Sequence, residues 1–441
     1  MPGLRHFASV SPPRRSGRLI GGLAGAFMLL SPHGADAAPP YTEITGGGGL
    51  DQSVRPALAD DGTVVAAEAE RLHVGDGTTL SFIDLSPDGL VIQDLTDSAR
   101  AVQVRSEGDV VFVADRPDAL GCLGFGGVRG AYRTDTVGTA VTTLLEGCIA
   151  DEGTEGKVGS DIAMSPNGTV AFSKIVSMNG AIYRGPATGP VTVLRSGSGT
   201  FFNTREIGVN DSGRVAVEME YGDPFGGLRR GILLFDTPEQ DLSNIDTAVE
   251  KLSVSQRPRL GVNASGTVAF SNNSDFTMMI GNEVFSFDAG VYVADPTLFN
   301  TPKMLTKIAD KSGDYCGFGR VDINDAGTVV FEAQLVDDLA GCSTGFGAPM
   351  DGIFIGADAV RHRIAIRGDS GLEDHEFFDS ILLGEINNAG QVSFLTTYSE
   401  PLVEPTKVWR TDLGEIRFRR LLEYIITRWW RILFRLFNRA P

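Results

Sequence analysis

The segment Ile323-Asn324-Asp325-Ala326-Gly327-Thr328-Val329-Val330-Phe331 closes one apolar run, turns through a glycine and opens a second run. Val262-Asn263-Ala264-Ser265-Gly266-Thr267-Val268-Ala269-Phe270 and Ile386-Asn387-Asn388-Ala389-Gly390-Gln391-Val392-Ser393-Phe394 repeat it almost position by position. Looser copies are anchored on Gly62, Gly108, Gly168 and Gly213, which makes seven in all. Val stands two places after every one of the seven glycines, and an apolar residue (Leu58, Val104, Met164, Val209, Val262, Ile323, Ile386) stands four places before. In five copies Phe stands four places after. An apolar strand end, a glycine free to take positive φ and an alternating run beyond it describe a β-hairpin. Asn210, Asn263, Asn324 and Asn387 in the turn are expected to bond the backbone two residues on, a structural role. A calcium ion held by these Asp and Asn side chains would need the alternating carboxylates and closing Glu of an EF-hand loop, which no loop here has.

Working outward, a second element follows most copies: Gly130-Ala131-Tyr132-Arg133, Ile182-Tyr183-Arg184, Gly231-Ile232-Leu233-Leu234, Gly290-Val291-Tyr292-Val293, Gly352-Ile353-Phe354-Ile355 and Val408-Trp409-Arg410. A further strand-like run then appears, as in Val141-Thr142-Thr143-Leu144-Leu145 or Arg363-Ile364-Ala365-Ile366. Each unit therefore holds three or four strands. The anchoring glycines are 46, 60, 45, 53, 61 and 63 residues apart, which suits a propeller blade better than a solenoid rung. The expected fold is all-β, a seven-bladed β-propeller over residues 38–416. Residues 41–56 are expected to lend the last unit a strand and close the ring.

The copies resemble the NxxGxxAF tandem repeat of exported bacterial proteins that carry interchangeable C-terminal anchors (the choice-of-anchor family), over roughly residues 50–415. Ala59 and Arg105 stand where that repeat has Asn. Ser86-Pro87-Asp88-Gly89 and Ser165-Pro166-Asn167-Gly168 are also similar to the repeats of TolB-like propellers. Neither resemblance implies a catalytic residue, and the first implies an exported protein whose role is undefined.

The two ends differ from this body. In residues 1–37, Arg5, Arg14, Arg15 and Arg18 precede an apolar run from Leu19 to Leu30, and Ala35-Asp36-Ala37 offers a cleavage site, the pattern of a signal peptide. Export to the periplasm, cell surface or medium is expected. Residues 417–441 carry seven Arg against one Glu and read as a basic amphipathic helix. Arg428, Trp429, Trp430, Arg431, Arg435 and Phe437 are its expected contacts with the surface of a membrane. The whole chain has 441 residues and a net charge of −18, and the acidic body repels a phosphate backbone, so nucleic acid is excluded as a partner.

Cys122 and Cys148 are 26 residues apart, as are Cys316 and Cys342, and two sequential disulfides are expected in an exported chain. His73, His362 and His375 are the only histidines past residue 37, and no CxxC occurs, so no metal or cofactor is assigned. Gly341-Cys342-Ser343-Thr344-Gly345 matches a hydrolase elbow, but no helical pattern follows it. Gly368-Asp369-Ser370-Gly371 lacks the other segments of a trypsin-like site. Acidic pairs such as Asp60-Asp61, Asp151-Glu152 and Asp337-Asp338 sit in polar turns. Repetition without catalytic punctuation points to a non-catalytic binding or scaffolding propeller at the cell envelope, with an unknown protein or glycan ligand. The alternative is a propeller enzyme acting on an extracellular or envelope glycan through paired carboxylates.

Overall fold

The computed structural model describes residues 41–46, 50, 54–92, 100–117, 127–148, 157–176, 179–198, 201–222, 228–235, 250–253, 259–280, 283–295, 305–336, 351–359, 361–366, 378–398, 406–416 and 428–429. Seven antiparallel four-stranded sheets follow one another along the chain. We call them blades 1 to 7, with first strands Ala57–Leu58, Val102–Val104, Lys157–Met164, Phe201–Val209, Arg259–Val262, Tyr315–Ile323 and Phe378–Ile386. Each of these first strands touches that of the blade before and the blade after, and the last touches the first, so they form the inner ring of a seven-bladed β-propeller. Blade 5 carries an additional hairpin, Phe276–Ile280 with Glu283–Phe287, between its second and third strands.

The ring closes as the sequence led us to expect. Blade 7 has three strands from the C-terminal part of the body, and Tyr41–Gly46 pairs with Lys407–Asp412 as its fourth. Of the rest of 41–56, Leu50 bridges Glu68 and Val54 packs with Ala57 and Val65, so these described residues serve blade 1 rather than the closure.

The repeated glycine explains each blade's first hairpin. All seven have φ between 78° and 90°, and each donates its N–H to the carbonyl three residues back, as Gly327 does to Asn324 at 2.9 Å. The five phenylalanines that follow (Phe112, Phe172, Phe270, Phe331, Phe394) are fully buried. Each stands in register with an aromatic of the third strand: Tyr132, Tyr183, Tyr292, Phe354 and Trp409. Such cross-strand pairs hold the two strands to each other while their rings fill the space between blades. The looser second element of the sequence is thus the partner of the first.

After the last strand, residues 413–416 form one helical turn whose Leu413 and Ile416 pack in the core with Tyr41, Phe394 and Trp409. The expected basic helix over 417–441 lies outside the described residues except at Arg428 and Trp429, which are helical and exposed. The expected signal peptide, 1–37, lies outside them entirely.

Candidate functional site

The turn asparagines do more than close their own hairpins. The Oδ1 atoms of Asn210, Asn263, Asn324 and Asn387 accept the N–H four residues on, at 2.7 to 2.9 Å, and not two residues on as expected from local turn chemistry. With the glycine in positive φ, it is this later N–H that points back into the turn. The amide groups then reach the neighbouring blade. Asn210 Nδ2 donates to the Ala264 carbonyl at 3.2 Å, Asn263 to Asn324 at 3.3 Å, Asn324 to Asn387 at 3.1 Å and Asn387 to Ala59 at 2.9 Å. A second belt runs outside the first: the N–H groups of Ala264, Asp325 and Asn388 donate to Asp325, Asn388 and Asp60 at 2.7 to 2.9 Å. These side-chain atoms hold each blade to its neighbour.

Below the turns lies a feature the sequence reading missed. Arg55, Asp161, Glu206, Arg259 and Arg320 each stand seven places before an anchoring glycine, on or just before a first strand. In blade 2 the charge falls one place earlier, at Arg100. Asp322 and Glu385 stand five places before theirs. A search for one residue type per offset passes over them, because the position carries both signs; a search for charge would have found it.

Their burial has a backbone cause. The first strands are sheet edges turned toward the axis, and their N–H groups need acceptors that water supplies on an outer edge. Carboxylates of neighbouring blades supply them. Leu260 N–H donates to Glu206 at 2.8 Å, Leu383 N–H to Glu332 at 2.5 Å, Ile386 N–H to Asp322 at 3.0 Å, Leu58 N–H to Glu385 at 2.9 Å and Arg100 N–H to Asp161 at 2.6 Å. Arginines compensate the charge. Arg259 donates to Glu206 at 2.8 Å, Arg55 binds Glu332 through both guanidinium ends and the Leu383 carbonyl at 2.6 Å, and Arg100 Nη2 lies 3.4 Å from Asp322. Gln103 donates to Glu385 at 2.6 Å.

With buried Glu218, which acts on Arg259 from the second strand of blade 4, the cluster has six carboxylates and four arginines among the described residues, so acid is in excess. The excess falls on two of them. Burial, aided by the charge of Glu206, pushes Asp161 up to about 6, and burial together with Asp322 raises Glu385. Glu206 goes the other way: burial opposes its charge, but Arg259, Arg320 and Arg100 outweigh that and hold it down to about 2. Arg320 is lowered to about 10 by burial and by Arg100.

Between turns and ion cluster lies a cavity of about 250 Å³ to which all seven blades contribute. Its rim is made of turn residues including Asp60, Ser106, Ala264, Asp325 and Asn388, and its waist of the seven apolar residues four places before the glycines. Its floor holds Arg100, Gln103, Asp322 and Glu385. The repeat thus brings together the residues predicted as structural, while the floor comes from residues that were not predicted.

The other candidates are spread out. Cys148 ends the fourth strand of blade 2 and is buried, and Cys316 is buried with its Sγ 3.4 Å from the Leu335 carbonyl. Cys122 and Cys342 lie outside the described residues, so neither expected disulfide is shown. Ser343, Asp369, Ser370, His375 and the pairs at 151–152 and 337–338 lie outside them too. Trp430, Arg431, Arg435 and Phe437 do as well. His73 contacts Glu68 at 2.8 Å and the ring of Phe82 in blade 1, and His362 accepts the Asp358 N–H at 3.2 Å, so both are held locally.

A sequence model described as a family of unknown function (DUF7453) matches residues 106–418. No curated protein matches the chain. Solved structures align with the chain at low identity. A prolyl endopeptidase structure aligns with a TM-score of 0.46 at 11% identity, covering 89% of this chain and 54% of that one. A gluconolactonase from Xanthomonas campestris aligns at 0.34 and 13%, covering 67% and 85%. A structure described as a putative TolB from Agrobacterium tumefaciens aligns at 0.32 and 13%, covering 55% and 76%. At these levels the alignments carry no argument about this chain.

Proposed function

This chain belongs to the DUF7453 family, whose function is unknown, and we propose that it is an exported, non-catalytic binding propeller of the cell envelope. The observation that carries the reading is the engagement of the axial carboxylates. Each of Glu206, Asp322, Glu332 and Glu385 accepts a backbone N–H of the following blade, so each is committed to holding the ring. A catalytic acid or base must be able to exchange its proton with substrate. A rigid ring that presents a small cavity on one face suits recognition instead.

The remaining parts of the reading come from the sequence. The leader at 1–37, the resemblance to choice-of-anchor proteins and the paired spacing of the four cysteines support export, with Cys122–Cys148 and Cys316–Cys342 as disulfides. The arginines and aromatic residues of 417–441 support attachment to anionic lipid. The test is cell fractionation with salt and carbonate washes, comparing the full chain with one ending at Arg417, which keeps the buried Ile416. The full chain is expected with membranes and the shorter one in the soluble fraction. Both in the soluble fraction would refute the attachment.

A second reading, a glycan-cleaving enzyme, draws on one observation: Glu385 is raised toward the protonated state and shares Arg100 with Asp322 at the cavity floor. It predicts turnover of envelope glycans that Glu385→Gln and Asp322→Asn abolish; the binding reading predicts none by any of the three proteins.

A further inference from the structure

We propose that the axial cavity binds one neutral, hydroxyl-rich ring, a single sugar residue of a glycan, between Arg100 and Glu385. This rests on the binding reading above and names its ligand class. Arg100 is 7% exposed and lines the cavity, and its Nε has no hydrogen-bond acceptor among the described residues. The nearest carboxylate oxygen in an ion pair with it, Glu385 Oε1, is 3.8 Å away, beyond hydrogen-bond reach. An oxygen seated on the cavity side of that pair, within hydrogen-bond reach of both atoms, would meet the donor.

The charges around the gap select what kind of oxygen. A carboxylate or phosphate ligand would accept from Arg100 but would enter beside Asp322 and Glu385, past Asp60 and Asp325 at the rim. An ammonium group would suit those carboxylates but offers Nε nothing. A hydroxyl accepts from Nε and donates to Glu385 in the same position, and adds no charge. The apolar waist, with Leu58, Val209 and Ile386, offers contact for the C–H faces of a sugar ring. At about 250 Å³ the cavity is smaller than the roughly 300–1,000 Å³ of drug-sized pockets, so one ring enters and the rest of a glycan stays at the mouth.

The experiment is saturation-transfer NMR with calorimetry on the full chain, using glucose and N-acetylglucosamine as neutral probes, glucuronate as the anionic one and spermidine as the cationic one. A neutral sugar is expected to bind, and glucuronate and spermidine at least tenfold more weakly. Arg100→Lys and Glu385→Gln are each expected to weaken the neutral sugar at least tenfold. Since either change could loosen the ring, Ala264→Tyr serves as an independent block. Ala264 lines the rim and uses only its backbone in hydrogen bonds, and the tyrosine is expected to abolish binding at an unchanged melting temperature.

Sugar binding that survives Ala264→Tyr would overturn the inference by placing the site elsewhere. Preference for spermidine or glucuronate would overturn the ligand class and leave a binding protein. No binding by any probe would overturn the sugar proposal and leave the binding reading to protein ligands. Consumption of a glycan, lost in Glu385→Gln, would overturn both.

Discussion

Asn324 shows how much one side chain does in this fold. Its Oδ1 closes its own hairpin through Thr328, and its Nδ2 binds the Asn387 carbonyl of blade 7. Asn324→Ala removes both and is expected to lower unfolding free energy by about 2 kcal/mol, read from the urea midpoint at constant slope. Asn324→Asp keeps the acceptor and loses the donor, so it should fall between. Asp161 makes a pH-dependent case. Its ordinary value is 3.8 and it is pushed up to about 6, so between those values the folded protein holds a proton that the unfolded chain has released. Stability from this group is therefore full below about pH 4 and declines as the pH rises to about 6. The difference corresponds to at most about 3 kcal/mol. Asp161→Asn retains an acceptor for the Arg100 N–H and removes the charge. It should raise the melting temperature at pH 8 and leave it unchanged at pH 4.

At the scale of one hairpin, the glycine and the phenylalanine contribute separately. A Cβ at Gly327 would meet no atom of the described residues within 4 Å, so Gly327→Ala tests the positive φ of 78° by itself. The expected loss is about 1–2 kcal/mol. Phe331 is fully buried against Phe354, Tyr315 and Phe318, and Phe331→Ala should cost about 3–5 kcal/mol by leaving a cavity between blades. Equilibrium denaturation of the two variants checks both figures. If the alanine at 331 were as mild as that at 327, the aromatic pair would not be what joins the strands.

Across the whole molecule, closure depends on one short strand from the other end of the chain. Tyr41 packs edge-on to Phe394 at 5.7 Å and donates its hydroxyl to the Ile364 carbonyl at 3.2 Å. Deleting residues 41–46 would leave the strand Lys407–Asp412 as an open edge, and the expected result is a lower melting temperature with concentration-dependent association in light scattering. The inner ring adds a second closure, because Arg55 and Glu332 are 277 residues apart and Arg100 and Asp322 are 222 apart. Glu332→Gln removes the charge that Arg55 needs while both are buried, and several kcal/mol of destabilisation is expected, of the order of 3–5.

What the sequence determined by itself is what a few neighbouring residues can enforce. Gly at one position, Val two places on and Phe four places on specify a hairpin with one buried face. Seven such hairpins with third strands between them are enough to specify seven blades, and an unmatched strand before the first is enough to close them. Tertiary structure decided which charges meet. Arg55, Asp161, Glu206, Arg259 and Arg320 share an offset from the same glycines, yet nothing local distinguishes a charge on an inner edge from a charge in solvent. Only when the ring closes do those edges face one another without water, and only then do their backbone N–H groups require the carboxylates of neighbouring blades. The cavity above them, with the unmet Nε of Arg100, is a product of that closure and of no single blade.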